Sequence, residues 1–306
     1  MKTQDIDQLY KDCTLCPRRC HADRFERSGF CGAGTLPKLA RAALHMWEEP
    51  CISGNKGSGA IFFSHCTLRC IFCQNHEISA GGFGREITVG SLADIFLRLQ
   101  DEGAHNLNLV TASHYLPSVL RALDLARPKL GIPVVYNCGG YENPETVRML
   151  NGYVDIWLPD MKYHDDNLAL ALSAAPDYRA IATEAIREML RQAGQPVFSE
   201  DQLLKKGVII RHMVLPGHRQ DSIEVLRHLA SSFAPESFLI SLLSQYTPYY
   251  KAAADPKFHS LNRRLTSFEY DSVVREALAL GLKGYMQEKS SAKEEYTPSF
   301  DLEGVF

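Results

Sequence analysis

Cys66, Cys70 and Cys73 stand in the segment HCTLRCIFCQN at a C-x3-C-x2-C spacing, and Cys13, Cys16, Cys20 and Cys31 crowd a short, charged, Gly-containing stretch ahead of them. Thiols clustered in this way point to metal before disulfide, the more so in a reducing compartment. Three thiolates can hold three irons of a cubane and leave the fourth iron open, and an open position separates a catalytic metal site from a closed structural one. Zinc is the competing reading, since His65 or His76 can complete a four-ligand set around the triad. The earlier group offers four soft ligands that suit either zinc or an auxiliary iron-sulfur cluster, and metal binding there also supplies folding energy to a segment with little core of its own. Cys51 is a spare ligand for it.

The elements around the triad decide between these chemistries. Gly59–Phe63 is a short apolar run, read as a buried strand that ends just before Cys66. A helix follows, capped by Ser91 with Leu92, Ile95, Phe96 and Leu99 on one face and stopped at Gly103. The alternation continues with strands at 106–111, 132–137, 153–158, 207–215 and 238–243. The helices between them lie at 119–125, after the Asn143 cap and Pro144, over 178–193, and at 223–229. Six βα units with nearly continuous apolar strands predict a parallel sheet covered by helices, either a partly closed barrel or a doubly wound open sheet. In both, chemistry gathers at the C-terminal strand ends, where the triad sits. The expected division is an N-terminal cysteine-rich segment over 1–56, the α/β unit over 57–246, and a polar extension over 247–306 with one helix near 273–280.

Net charge is −3 in 306 residues, with both signs interspersed, which gives no electrostatic footprint for nucleic acid or an acidic membrane surface. The opening MKTQDIDQLYKDC lacks the apolar core of a signal peptide, and no stretch approaches the roughly 20 apolar residues of a membrane span. A cytoplasmic location is the expectation. The glycine stretches GNKGSG and GGFGRE lack the order and context of phosphate or dinucleotide loops and read as turns.

The strand followed by the triad, with Phe72 just before the last cysteine, resembles the radical SAM superfamily. The stretches GSGAIFFSHCTLRCIFCQN, VDIWLPDMKY and IIRHMVLPG make the chain similar, from about Cys13 to Gln287, to the subgroup like the pyruvate formate-lyase activating enzyme. The cysteines ahead of the triad set it apart from the simplest members of that subgroup. The resemblance implies a partial (β/α)6 barrel and a [4Fe-4S] cluster on Cys66, Cys70 and Cys73. It also implies S-adenosyl-L-methionine chelated at the open iron through its amino and carboxylate groups. One electron passed to the sulfonium then yields a 5'-deoxyadenosyl radical that abstracts hydrogen from a substrate. A glycyl-radical protein is one candidate substrate; others are an unknown protein or small molecule, with a flavodoxin or ferredoxin as reductant.

The resemblance also implies cofactor-side places for Phe72, Asp160 and Lys162, the last two being two apart and so on one face of a strand end. Arg211 and His212 are neighbours, so one of them points into the barrel; the resemblance favours Arg211, whose planar fork suits a carboxylate. Ser113 stands with Thr111 and His114 where many superfamily members carry a Gly-Gly-Glu, and a hydroxyl or backbone contact to the cofactor is implied there. Asn137 either reaches a ribose or caps the CGGY turn. Cys138 reads as a small buried hydrophobe or a reactive thiol, and Gln245 and Tyr246 as substrate-mouth or packing residues. The alternative to an enzyme is a non-catalytic iron-sulfur or zinc protein for electron transfer or partner docking.

Overall fold

The computed structural model describes residues 3–287 and 298–306. Its centre is a 10-stranded sheet. The main strands are β1 (Lys38–His45), β2 (Ser58–Phe63), β3 (Leu107–Val110), β4 (Val134–Cys138), β5 (Ile156–Pro159), β6 (Leu204–Met213), β7 (Leu239–Leu243) and β8 (Gly284–Met286). They lie in the order β8-β7-β6-β5-β4-β3-β2-β1; Arg85–Glu86 extends the edge beyond β1, and Val197–Phe198 pairs with β6. Every pairing from β2 to β8 is parallel, and β1 runs antiparallel to β2. The sheet is a curved α/β layer whose two edges do not meet, a partial barrel.

Parallel strands need helical crossovers, and these helices bury their apolar faces against the sheet. The helix Val89–Asp101 places Leu92, Ile95, Phe96 and Leu99 in the core, each such side chain contributing about 1.5–3 kcal/mol. Its cap is Thr88 and not Ser91: Thr88 is extended and its hydroxyl accepts from the Ser91 amide, which already lies inside the first turn. Tyr178–Ala193 and Arg219–Ser232 cover β5 to β7, with Ile186, Met189, Leu226 and Leu229 buried. Asp166–Ser173 is a further helix with no counterpart in the sequence reading, capped by Asp165.

Two expected boundaries shift. Residues 38–45 belong to the sheet, so the segment that stands outside it ends at 37 and not at 56. At the other end, β8 extends the sheet beyond 246 by pairing with β7. Residues 298–306 fold back over β1: Ala42 donates to the Glu303 carbonyl at 2.8 Å, Leu302 donates to that of Ala40 at 3.1 Å, and Arg41 pairs with Asp301 and Glu303. The tail thereby satisfies backbone groups that an exposed edge strand would present. Of the extension expected over 247–306, residues 288–297 lie outside the described residues.

The connection from β1 to β2 does not skirt the surface. Cys51 and Ile52 enter the barrel and pack against Val135, Ile156, Leu158, Leu204 and Ile209. Cys51 is therefore part of an apolar plug, and burial pushes its thiol up to about 11. It is not a member of the N-terminal cysteine group.

Candidate functional site

The loop after β2 is held from several directions. The Ser64 amide donates to the Lys38 carbonyl, the His65 amide to Ile78, the Ile71 amide to Leu172 and the Arg69 amide to Ser173. His65 carries a φ of 72°, a left-handed conformation unusual for a side chain of this size, immediately before Cys66. Arg69 donates to the Cys66 carbonyl at 2.7 Å, and the Arg18 Nε of the N-terminal segment donates to that of Thr67 at 3.0 Å. Arg18 and Arg69 also both lie against the Phe30 ring: their guanidinium carbons are 4.0 and 4.7 Å from its centre. The N-terminal segment is thus a brace for the triad loop.

Within that loop the three sulfurs already attract hydrogen-bond donors. The Leu68 amide lies 3.4 Å from Cys66 Sγ, the Ser173 hydroxyl 2.9 Å from Cys70 Sγ, and the Ser79 hydroxyl 3.3 Å from Cys73 Sγ. Burial, together with the neighbouring Cys70, pushes the Cys66 and Cys73 thiols up to about 12 and 11. Three crowded sulfurs with polar groups against each, two of them resisting ionisation without a cation, fit a bound cation that would draw off their protons. No three Cys, His, Asp or Glu side chains among the described residues converge on a single ion. A cluster asks for one thiolate per iron, so its ligands stand further apart than those of one ion.

Cys70 and Cys73 open onto a cavity of about 680 Å³, within the usual range for a small-molecule site. Phe72, Asn137, Asp160, Lys162, Arg211 and Gln245 line it as well. The strand pleat turns Asn137, Asp160 and Arg211 inward from the C-terminal ends of β4, β5 and β6. Arg211 Nε donates to Asp160 at 3.0 Å, its terminal NH2 donates to Asn137 Oδ1 at 2.6 Å, and Glu48 Oε2 stands 3.7 Å from its other terminal nitrogen. Lys162 pairs with the second Asp160 oxygen. Burial alone would raise the Asp160 carboxyl, but Arg211 and Lys162 outweigh it and hold the group below the usual carboxylate range. Gly140, at φ 79° and packed against the Asp160 backbone, leaves no room for a side chain in the turn after β4.

Arg211 differs from the expectation of a fork free to clamp a ligand carboxylate. A buried guanidinium needs anions, and the fold supplies them itself through Asp160 and Glu48. Ser113 lies away from the cavity, fully buried, donating to Glu142 Oε1 at 2.6 Å and accepting from the Tyr136 hydroxyl at 3.0 Å. It opens the short 3-10 turn Ser113–Tyr115 and is not among the cavity-lining residues. His114 is likewise internal, bonded to the Ser64 carbonyl, and His212 to that of Met161. Cys138 is buried in the helix-facing core, where burial raises its thiol. Tyr246 packs against Phe72 and donates to the Leu261 carbonyl. Glu48 and Glu49 are charged cavity residues that sequence reasoning missed; an acidic pair before a proline reads as a solvated loop.

Cys13, Cys16 and Cys31 are buried and Cys20 partly so. The segment that carries them docks through Asn143, whose amide donates to the Thr14 carbonyl at 2.7 Å, and through Thr146, which donates to that of Leu15 at 2.7 Å. Asn143 precedes the helix Pro144–Met149 without a side-chain capping bond.

The Ser113 partner carries a pH prediction. Burial raises the Glu142 carboxyl to about 7, against the lowering effect of Ser113 and Tyr136, and its Oε2 has no partner among the described residues. The folded chain therefore holds a proton that the unfolded chain releases near its ordinary value of 4.5. That contribution is complete below the unfolded value and is lost as pH rises through 7. Glu142→Gln should leave stability little changed near pH 5 and raise it near pH 8.5 by up to about 3 kcal/mol. Urea unfolding at the two pH values measures the difference, and an equal effect at both would contradict it.

Fold and site together define an α/β partial barrel that presents a cysteine triad at its strand ends, beside a charged cavity. Residues 60–230 match the model of the Radical SAM superfamily, and the chain belongs to that superfamily. It is 29% identical over 288 residues to the uncharacterized protein MJ0674 of Methanocaldococcus jannaschii, covering 90% of this chain and 77% of that protein. Among solved structures, SuiB of Streptococcus suis bound to S-adenosylmethionine matches at a TM-score of 0.48 and 14% identity, over 78% of this chain and 52% of that one. A domain of the pyruvate-formate lyase-activating enzyme from Bacteroides vulgatus matches at a TM-score of 0.41 and 17% identity, over 57% and 92%. The chain spans about half the length of SuiB. Family membership implies a [4Fe-4S] cluster and S-adenosylmethionine. Among the described residues no helix is long and apolar enough to cross a membrane.

Proposed function

We propose that the chain is a radical SAM enzyme in which Cys66, Cys70 and Cys73 hold the cluster and the adjoining cavity takes S-adenosylmethionine and a substrate. The observation that carries this reading is the meeting of two of the triad thiols with the Asp160, Lys162 and Arg211 set in one cavity. When bound, cluster and cofactor supply one-electron cleavage of the sulfonium and abstraction of a hydrogen atom. The protein's own contribution is positional. Asp160, kept ionised by Arg211 and Lys162, offers a fixed acceptor, and Lys162 a fixed donor, beside the cluster loop. Phe72, buried in the same loop, packs against Tyr246 and helps to hold the triad in place.

The narrower reading, supported by the likeness of VDIWLPDMKY and IIRHMVLPG to activating enzymes, is that the hydrogen comes from a glycine of a partner protein. A flavodoxin or ferredoxin supplies the electron. The nine free thiols suit a reducing, cytoplasmic setting. Cys13, Cys16, Cys20 and Cys31 we carry as a second metal site, zinc or iron-sulfur, which iron and zinc counts on a triad variant distinguish. An electron-transfer module would need the cluster and not the cavity. Anaerobic reconstitution with iron, sulfide and dithionite decides between the two: 5'-deoxyadenosine released from S-adenosylmethionine supports the enzyme, and an intact cluster that releases none sinks it.

A further inference from the structure

The plug formed by the β1 to β2 connection carries more than apolar residues. Anchored by Cys51 and Ile52 in the barrel, it turns Glu48 and Glu49 into the same cavity that Cys70 and Cys73 reach. Glu48 is committed: it accepts from the Asn108 amide at 2.9 Å and faces Arg211. Glu49 is not. It is 7% exposed, and although Ser241 bonds its carboxyl, its Oε2 has no hydrogen-bond partner among the described residues.

Charge makes the same point independently. Among the described residues the cavity lining holds three carboxyl groups, Glu48, Glu49 and Asp160, and two cationic side chains, Arg211 and Lys162. Arg211 is engaged by Asp160, Asn137 and Glu48, and Lys162 by Asp160. Burial raises the carboxyl of Glu49, with Arg211 opposing. A buried carboxylate oxygen left without a donor costs roughly 1–3 kcal/mol or more, which an arriving cation with N–H groups would remove. Ser241, Gln245 and Gln287 line the cavity too, and the Gln287 amide donates to Gln245 Oε1 at 2.8 Å. They give neutral hydrogen-bonding capacity and add no compensating positive charge.

We propose that Glu49 anchors a substrate subsite for an organic cation, an ammonium or guanidinium group, whose remainder extends through the cavity toward the Cys70 and Cys73 loop. The word substrate rests on the radical reading; the cation site itself does not. The test is equilibrium binding of agmatine to the reconstituted protein under anaerobic conditions, with glutarate as the anionic probe and without reductant. Because no cleavage is involved, a failure of the 5'-deoxyadenosine assay leaves this result standing, and the reverse holds.

The expected result is that agmatine binds and glutarate does not, and that Glu49→Gln binds agmatine about tenfold or more weakly. The selectivity of the unaltered protein needs no variant, so a Glu49→Gln chain that failed to fold would not shield the proposal. It is overturned if neither probe binds, if glutarate binds as well as agmatine, or if Glu49→Gln binds agmatine as the parent does. It is equally overturned if saturating S-adenosylmethionine expels agmatine, since Glu49 would then serve the amino group of the cofactor.

Discussion

Cys66→Ala protein, reconstituted with iron and sulfide, should release no more 5'-deoxyadenosine than a protein-free control. The triad supplies three thiolates to four irons, so removing one leaves two ligands for a cluster that already has an open position. Two other buried thiols of the barrel lie elsewhere: Cys51 in the plug and Cys138 in the helix-facing core. Ser173→Ala makes the contrast. It removes a hydrogen bond to Cys70 Sγ and no ligand, so the cluster should form while metal affinity or activity falls about 10–100-fold. Full cleavage activity in Cys66→Ala would refute the ligand assignment.

Arg211→Met should be the most damaging change to stability in the cavity. Its guanidinium meets Asp160 at 3.0 Å, Asn137 at 2.6 Å and Glu48 at 3.7 Å, in a site where these groups are largely shielded from water. Without it Asp160 keeps Lys162, but Glu48 and Glu49 lose the positive charge that opposes the effect of their burial. Breaking a buried pair by removing one partner costs about 3–5 kcal/mol, and urea unfolding of the two proteins should show a loss of that size. Arg211→Lys retains the charge without the fork and should fall between them. A loss below about 1 kcal/mol, the scale of an exposed pair, would mean that the cavity is far wetter than its geometry implies.

Strands β2 to β7 were legible because each is a short apolar run between turn residues, the pattern of strands buried on both faces. The triad's place followed from the strand before it. The strand β1 was not legible: Lys38–His45 is alanine-rich with charges at Lys38 and Arg41, and only pairing with β2 makes it extended. The helix Asp166–Ser173 was hidden by the alternation of Leu and Ala in its short length, yet its last residue reaches Cys70. Residues at strand ends divided by which way the backbone turned. Asn137, Asp160 and Arg211 follow the pleat into the cavity, while a 3-10 turn carries Ser113 out of it. Glu48 and Glu49 show the limit of local reading most clearly, because their role depends on a loop passing through the barrel, and nothing in MWEEP encodes that path.

A cluster held by the triad with an open iron facing the cavity should sense the cofactor directly. Electron paramagnetic resonance of the dithionite-reduced protein, recorded with and without S-adenosylmethionine, tests it most directly. The expected result is a reduced [4Fe-4S] signal that changes when S-adenosylmethionine is added and whose S-adenosylmethionine-responsive part is absent from the Cys66, Cys70 and Cys73 triple alanine variant. A signal that is the same with and without S-adenosylmethionine, or a response that survives the triple substitution, would contradict it.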